Sequence, residues 1–206
     1  MFPYVPQGRG VTAAGRCATQ AILLAAAALG REEQPEVYRH VHPHGRATAA
    51  LARSFADAVC PGGGPSLDEV ALGAHLHDFG KYLIPRSVLL KPGPLSDEER
   101  AAVSRHPVYG AQVLSGLPAI TETVRRVVLY HHERWDGGGY PEGLRGTRIP
   151  LAARLVTIAD VYASLRAKRS YKPTLTKPEA AGEMEAMAGR ELDPDLTSDF
   201  LKFIGC

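Results

Sequence analysis

Eight histidines lie between positions 40 and 132, at His40, His42, His44, His75, His77, His106, His131 and His132. Their clustering points to a shared site, although a single helical His is more often a surface or hydrogen-bonded core residue, so their neighbours must carry the argument. His77 is followed by Asp78, and adjacent helical positions point about 100° apart; the pair converges on one ion only from the edge of an element facing a cleft. His131 and His132 close a stretch in which Ile120, Val124, Val127 and Val128 recur at helical spacing, which sets both imidazoles beside the inward stripe. His40 and His44, four apart, share a helix face, and His106 precedes Pro107 at a helix junction. Asp160 ends the apolar run Leu155 to Ala159, where a carboxylate must be paired or coordinated. Several His with two Asp and no nearby thiolate form a borderline donor set that suits Fe, Mn or Zn.

Holding these side chains together requires helices, and Pro, Gly and capping residues divide the chain into helical blocks. Ser66 to Glu69, Ser96 to Glu99 and Thr176 to Glu179 have the S/T-x-x-E form of a capping box. Asp193 before Pro194 marks a fourth start. Helices are expected over about Glu36 to Val59, Ser66 to Phe79, Ser96 to Arg105, Pro107 to Leu114, Ala119 to His132, Leu151 to Leu165, Lys177 to Ala188 and Pro194 to Phe203. Residues 1 to 35 read as coil and an Ala-rich packing helix, Val11 to Leu29, and residues 36 to 206 as the functional domain. With no clean apolar–polar alternation and no internal repeat, the expectation is an all-α domain of about seven to nine helices. Val156 to Ile158 is the β-prone run within it. The connections Ile84 to Leu95 and Arg134 to Ile149 are long, and long loops in compact domains are often functional.

Composition narrows the function. A chain of 206 residues fits one domain, and Lys plus Arg at 24 against Asp plus Glu at 22 leaves a net charge of +2, too little to hold duplex DNA. An anionic partner must therefore be met locally. Ala163 to Pro178 offers this, carrying Arg166, Lys168, Arg169, Lys172 and Lys177 and no acid, although such a run is usually a solvated face. Cys17, Cys60 and Cys206 are far apart and form no C-x-x-C pair, which fits a reducing compartment. Ala21 to Leu29 is the longest apolar stretch and is far shorter than the about 20 residues that span a bilayer. A cytoplasmic protein with no membrane segment is expected.

The stretches His77-Asp78-Phe79-Gly80-Lys81 and His131-His132-Glu133-Arg134-Trp135-Asp136-Gly137-Gly138-Gly139-Tyr140-Pro141 resemble the two defining motifs of the HD-GYP family, in order and separation. The similarity continues through His106-Pro107, Gly110-Ala111, Ile149 to Arg154 and Ala159-Asp160, and so runs from roughly Glu36 to the C-terminus. This resemblance implies metal ligands at His44, His77, Asp78, His106, His131, His132 and Asp160, with Asp78 bridging two ions, Fe or Mn. Some members with a third ion have a Glu four residues before the first His; this chain has His40 there, a candidate further ligand of a different residue type. A bridging hydroxide would then attack phosphorus and break a P–O3′ bond of cyclic di-GMP, giving linear pGpG and onward GMP. Asp78 and Lys81 are the implied catalytic residues, Lys81 contacting the phosphate or protonating the leaving oxygen; Tyr140, Arg169 and Lys172 would hold the substrate phosphates. Trp135 either stacks on a base or pins its loop, and Tyr162 and Tyr171 read as packing residues.

Two departures stand beside this match. His44-Gly45-Arg46-Ala47-Thr48 follows the family's His-Ser-x-Arg-Val only loosely, and Ala163 replaces an acid that commonly supports the Asp160 motif. Loss of such support often costs 10–100-fold in metal affinity or activity. The competing readings are a catalytically weak or inactive module that binds the cyclic dinucleotide or a signalling partner through the Tyr140 loop, and another phosphohydrolase of the wider HD superfamily. The sequence carries no signal for an oligomeric state.

Overall fold

Helix boundaries follow the capping chemistry at most positions. The computed structural model describes residues 34–167 and 174–206; the expected N-terminal coil and Ala-rich helix, with Arg169, Tyr171 and Lys172, lie outside them. In chain order the helices are α1 (Pro35–Val59), α2 (Leu67–Leu76), α3 (Arg86–Leu89), α4 (Asp97–Val103), α5 (His106–Ser115), α6 (Glu122–Tyr130), α7 (Leu151–Arg166), α8 (Lys177–Met187) and α9 (Pro194–Ile204), with 3-10 turns at Phe79–Leu83 and Gly146–Arg148. Among the described residues there is no strand, only an isolated bridge between Ala188 and Leu192. The β-prone Val156 to Ile158 lies inside α7, where burial overrides local propensity.

Ser96 and Thr176 form full capping boxes with Glu99 and Glu179, and Asp193 accepts from the N–H groups of Asp195 and Leu196. Ser66 does not cap: its ψ of 128° departs from the 171° and 168° of the two working boxes, and its hydroxyl takes no helix N–H. The expected start at Ala119 moves to Glu122 because Thr121 accepts from Val124 N. The helix expected to reach Phe79 ends at Leu76, and the chain tightens into the 3-10 turn that carries Lys81.

Helix α2 is buried on opposite faces, which explains its weak amphipathicity. Val70 and Ala74 enter the larger apolar cluster with Phe55, Val127, Leu155, Ile158, Met184 and Phe200. Leu72 and Leu76 enter a second cluster with Ala111, Leu114, Val124 and Val128. Phe55 meets Phe200 edge-on at 5.0 Å, and Tyr162 packs on Phe200 at 5.3 Å, the packing role expected of it. Burying side chains of this kind contributes about 1.5–3 kcal/mol each, so the elements that carry the histidines are set in a rigid frame. No helix among the described residues is long and apolar enough to cross a membrane.

Candidate metal centre

Two of the central helices end on a histidine. His77 is the C-cap of α2 and His131 that of α6, where unpaired helix carbonyls make the local potential negative and favour cations. His106 opens α5. All three rings are buried, and in each Nδ1 faces the carbonyl three residues earlier: Ala74 at 2.7 Å, Val103 at 2.8 Å and Val128 at 2.9 Å. A carbonyl only accepts, so Nδ1 carries a proton in each ring, and a neutral ring in that tautomer turns a lone pair at Nε2 inward. The Nε2 atoms of His106 and His131 lie 3.2 Å apart. Two lone pairs at that separation repel unless a cation stands between them.

The donors fall into two groups. Asp78, His106, His131 and His132 form one, and His44, His77 and Asp160 the other, with the ligand atoms of each within 4.8 Å of one another. Asp78 joins them: its Oδ1 lies 3.2 Å from His106 Nε2 and its Oδ2 3.4 Å from His77 Nε2. His77 Nε2 is also 3.6 Å from Asp160 Oδ1, which His44 Nε2 meets at 2.6 Å. This approach depends on Gly80, where a Cβ would fall 1.9 Å from the His106 carbonyl oxygen and 2.7 Å from Gly110 N. Only glycine lets the 3-10 turn cross α5 so closely.

Burial opposes ionisation of Asp78, yet Lys81 and His77 hold its carboxyl well below the usual range. Asp160 is also lowered against burial, by the His44 hydrogen bond and the His77 charge. For His77 burial acts downward, but Asp78 and Asp160 together raise it to about 9. Burial and neighbouring imidazoles push His131 well below its ordinary value, and burial with His106 pushes His132 down to about 4. At neutral pH the groups therefore present two carboxylates and at least two neutral imidazoles. This nitrogen and oxygen donor set fits divalent ions of the Fe, Mn and Zn class.

The other residues singled out in the sequence are distributed around this centre. Lys81 Nζ lies 2.7 Å from Asp78 Oδ2. Tyr140 tilts over the His132 ring at 4.9 Å, and burial pushes its phenol up to about 12 against the lowering influence of Ser104. Trp135 pins its loop: its backbone N–H donates to Glu191 O at 3.1 Å and its ring lies under Arg154 at 5.8 Å. His40 is exposed and falls outside both donor groups. It shares a face with His44, but one turn is about 5.4 Å along the axis, which carries it past the edge of the site. His42 and His75 face each other at 3.3 Å and also stand outside both groups. Sequence reading assigned nothing to Ser104 or Glu133. The one signal available was an acid directly following two inward histidines, at a helix end where an acid is disfavoured.

The fold and the His and Asp centre define a helical domain of a recognised kind: the profile of the HD domain family matches residues 33–196, and the chain belongs to that family. Its His77-Asp78 and Gly139-Tyr140-Pro141 motifs place it in the HD-GYP branch. It is 43% identical over 134 residues to the cyclic di-GMP phosphodiesterase response regulator RpfG of Xanthomonas campestris pv. campestris, across 65% of this chain and 35% of that protein. It is 39% identical over 136 residues to 3'3'-cGAMP-specific phosphodiesterase 2 of Vibrio cholerae, across 66% of this chain and 26% of that protein. The chain thus spans about a quarter to a third of the length of these curated relatives. Among solved structures, Bd1817, an HDG"Y"P protein from Bdellovibrio bacteriovorus, superposes with a TM-score of 0.65 at 22% identity, over 94% of this chain and 61% of that one, and shares the fold.

Proposed function

We propose that this domain is a metal-dependent phosphodiesterase that hydrolyses cyclic di-GMP to linear pGpG, to GMP or to both. The observation that carries the reading is the pair of adjoining donor groups joined through Asp78. His44, His77 and Asp160 would hold one ion and His106, His131 and His132 another, with Asp78 shared and Fe or Mn the metal. Two such ions, when bound, supply Lewis acidity toward a phosphodiester oxygen and an acidified water as nucleophile.

The chain's own residues do the rest. Asp78 keeps the two groups in register, its oxygens turned to different histidines. Lys81 stands at the edge of the centre, 29% exposed, where its ammonium can neutralise a phosphate or pass a proton to the leaving O3′. Tyr140 roofs His132, on the side from which a substrate phosphate would be met. Arg169 and Lys172, outside the described residues, are assigned to the same phosphates. The substrate class is supported by the names of the relatives, which include both cyclic di-GMP and 3'3'-cGAMP phosphodiesterases.

The test is purification without chelator, metal counting by elemental analysis, and incubation of the same sample with cyclic di-GMP beside Asp78→Ala. Two or more Fe or Mn per chain, with hydrolysis abolished by the substitution, is the expected result. Nucleotide bound without turnover, even after reconstitution with reduced iron or manganese, would make this a binding module and Ala163 the residue to examine first.

A further inference from the structure

We infer that Glu133 is the positioning residue of the substrate loop, holding Tyr140 in place over His132 by taking two backbone N–H groups from the loop's far side. Glu133 follows the candidate ligands His131 and His132 directly and is 2% exposed. It belongs to neither donor group. Instead its Oε1 accepts from Glu142 N at 2.8 Å and its Oε2 from Leu144 N at 2.9 Å. Both carboxylate oxygens are thus turned toward the backbone of residues 142–144.

The near side of the loop is closed by a different device. A Cβ at Gly139 would fall 2.3 Å from Arg134 N and 2.6 Å from Glu133 Cα, so only glycine lets the chain fold flat onto its own start. Tyr140 N then donates to His132 O at 3.2 Å. Tyr140 is thus itself one attachment, its N–H on the His132 carbonyl, and lies two residues before the other, Glu142 N on the Glu133 carboxylate. Tyr130 adds a third on the same segment, its hydroxyl donating to Glu142 Oε1 at 3.0 Å. A carboxylate is the side chain this arrangement needs, because both N–H groups require an acceptor. Gln would turn an NH2 group toward one of them and leave that partly buried donor unmet.

The kinetic consequence rests on the phosphodiesterase reading, but the structural one does not. In the native protein, amide hydrogen exchange at Glu142 and Leu144 should be slowed well below the rate of a free loop. Glu133→Gln should speed exchange at those two amides at least tenfold with metal content unchanged, and Glu133→Asp should fall between. In the same variant KM for cyclic di-GMP should rise about tenfold, while turnover of the small diester bis(p-nitrophenyl) phosphate stays within about twofold. Unprotected amides in the native protein, or protection that survives Glu133→Gln, would overturn the assignment. So would a parallel fall of both substrates, which would put Glu133 in the metal centre. If the native protein leaves cyclic di-GMP intact, the phosphodiesterase reading fails alone and the exchange rates still decide Glu133.

Discussion

In the absence of an ion, His77 carries the proton that balances Asp78 and Asp160, so proton and metal compete for one place. The sign of the resulting pH dependence follows directly. His77 is raised from 6.5 to about 9, so its contribution to the metal-free fold is complete below about pH 6.5 and is lost as pH rises through 9. His131, His132 and His75 are lowered, so unfolding takes up protons below 6.5 and stability falls as the solution is acidified. The lowered Asp78 and Asp160 add to the loss only in more acidic solution. Urea midpoints of the chelated protein should therefore peak near pH 6.5, and saturation with Mn should remove the alkaline decline; a chelated midpoint that climbs steadily to pH 9 would contradict this. Gly80→Ala should destabilise by about 3 kcal/mol, since its Cβ meets backbone rather than a side chain that can swing away, and a thermal melt reads it. Lys81→Ala should keep its metal and lose about a hundredfold in kcat, the scale of a single general acid. The candidate donors came from the motif resemblance, and only Asp160 and the His131–His132 pair were also singled out by their apolar surroundings. The carbonyls behind them were not legible: which nitrogen of a ring faces inward is set by a backbone oxygen that no residue type announces.

At the scale of elements, the caps carry the lesson. Ser96, Thr176 and Ser66 share one sequence pattern, and only the first two act on it, because a capping box also needs an extended entry that neighbouring chain must permit. Asp193 does more than its sequence position promised. One oxygen caps α9, and the other takes Arg154, whose Nε donates to Ile149 O at the end of the loop from Arg134. Asp193→Ala should accordingly cost about 3 kcal/mol, more than a simple cap, because it leaves a largely buried guanidinium without its partner. Chemical denaturation checks this, and a loss of only a few tenths would show that Arg154 finds another acceptor. The segment 84–95, expected to be all loop, holds the short α3; four residues give too little periodicity to be read.

Over the whole molecule the donors come from places remote in sequence: α1, the ends of α2 and α6, the start of α5 and the middle of α7. An ion can bind this set only when those elements are packed, so metal and fold are linked. Free Mn at about a hundredfold over its Kd should add about 2.7 kcal/mol, or roughly 5 to 10 °C in Tm. Scanning calorimetry with and without chelator measures it, and equal midpoints would show that no such ion binds. The hub role of α2 was not legible, since a helix buried on opposite faces has no stripe to read.

The loop from Arg134 to Ile149 leans on chain that comes much later. Trp135 and Asp136 donate to the carbonyls of Glu191 and Arg190, and Arg154 waits for Asp193. During synthesis, a nascent chain that has reached Met187 already holds every donor from His44 to Asp160 and the Glu133 and Tyr130 attachments, yet not the carbonyls that receive the N–H groups of Trp135 and Asp136. The start of the loop therefore gains its last braces only as residues 190–193 leave the ribosome, and a product of interrupted translation that stops short of them lacks those late attachments.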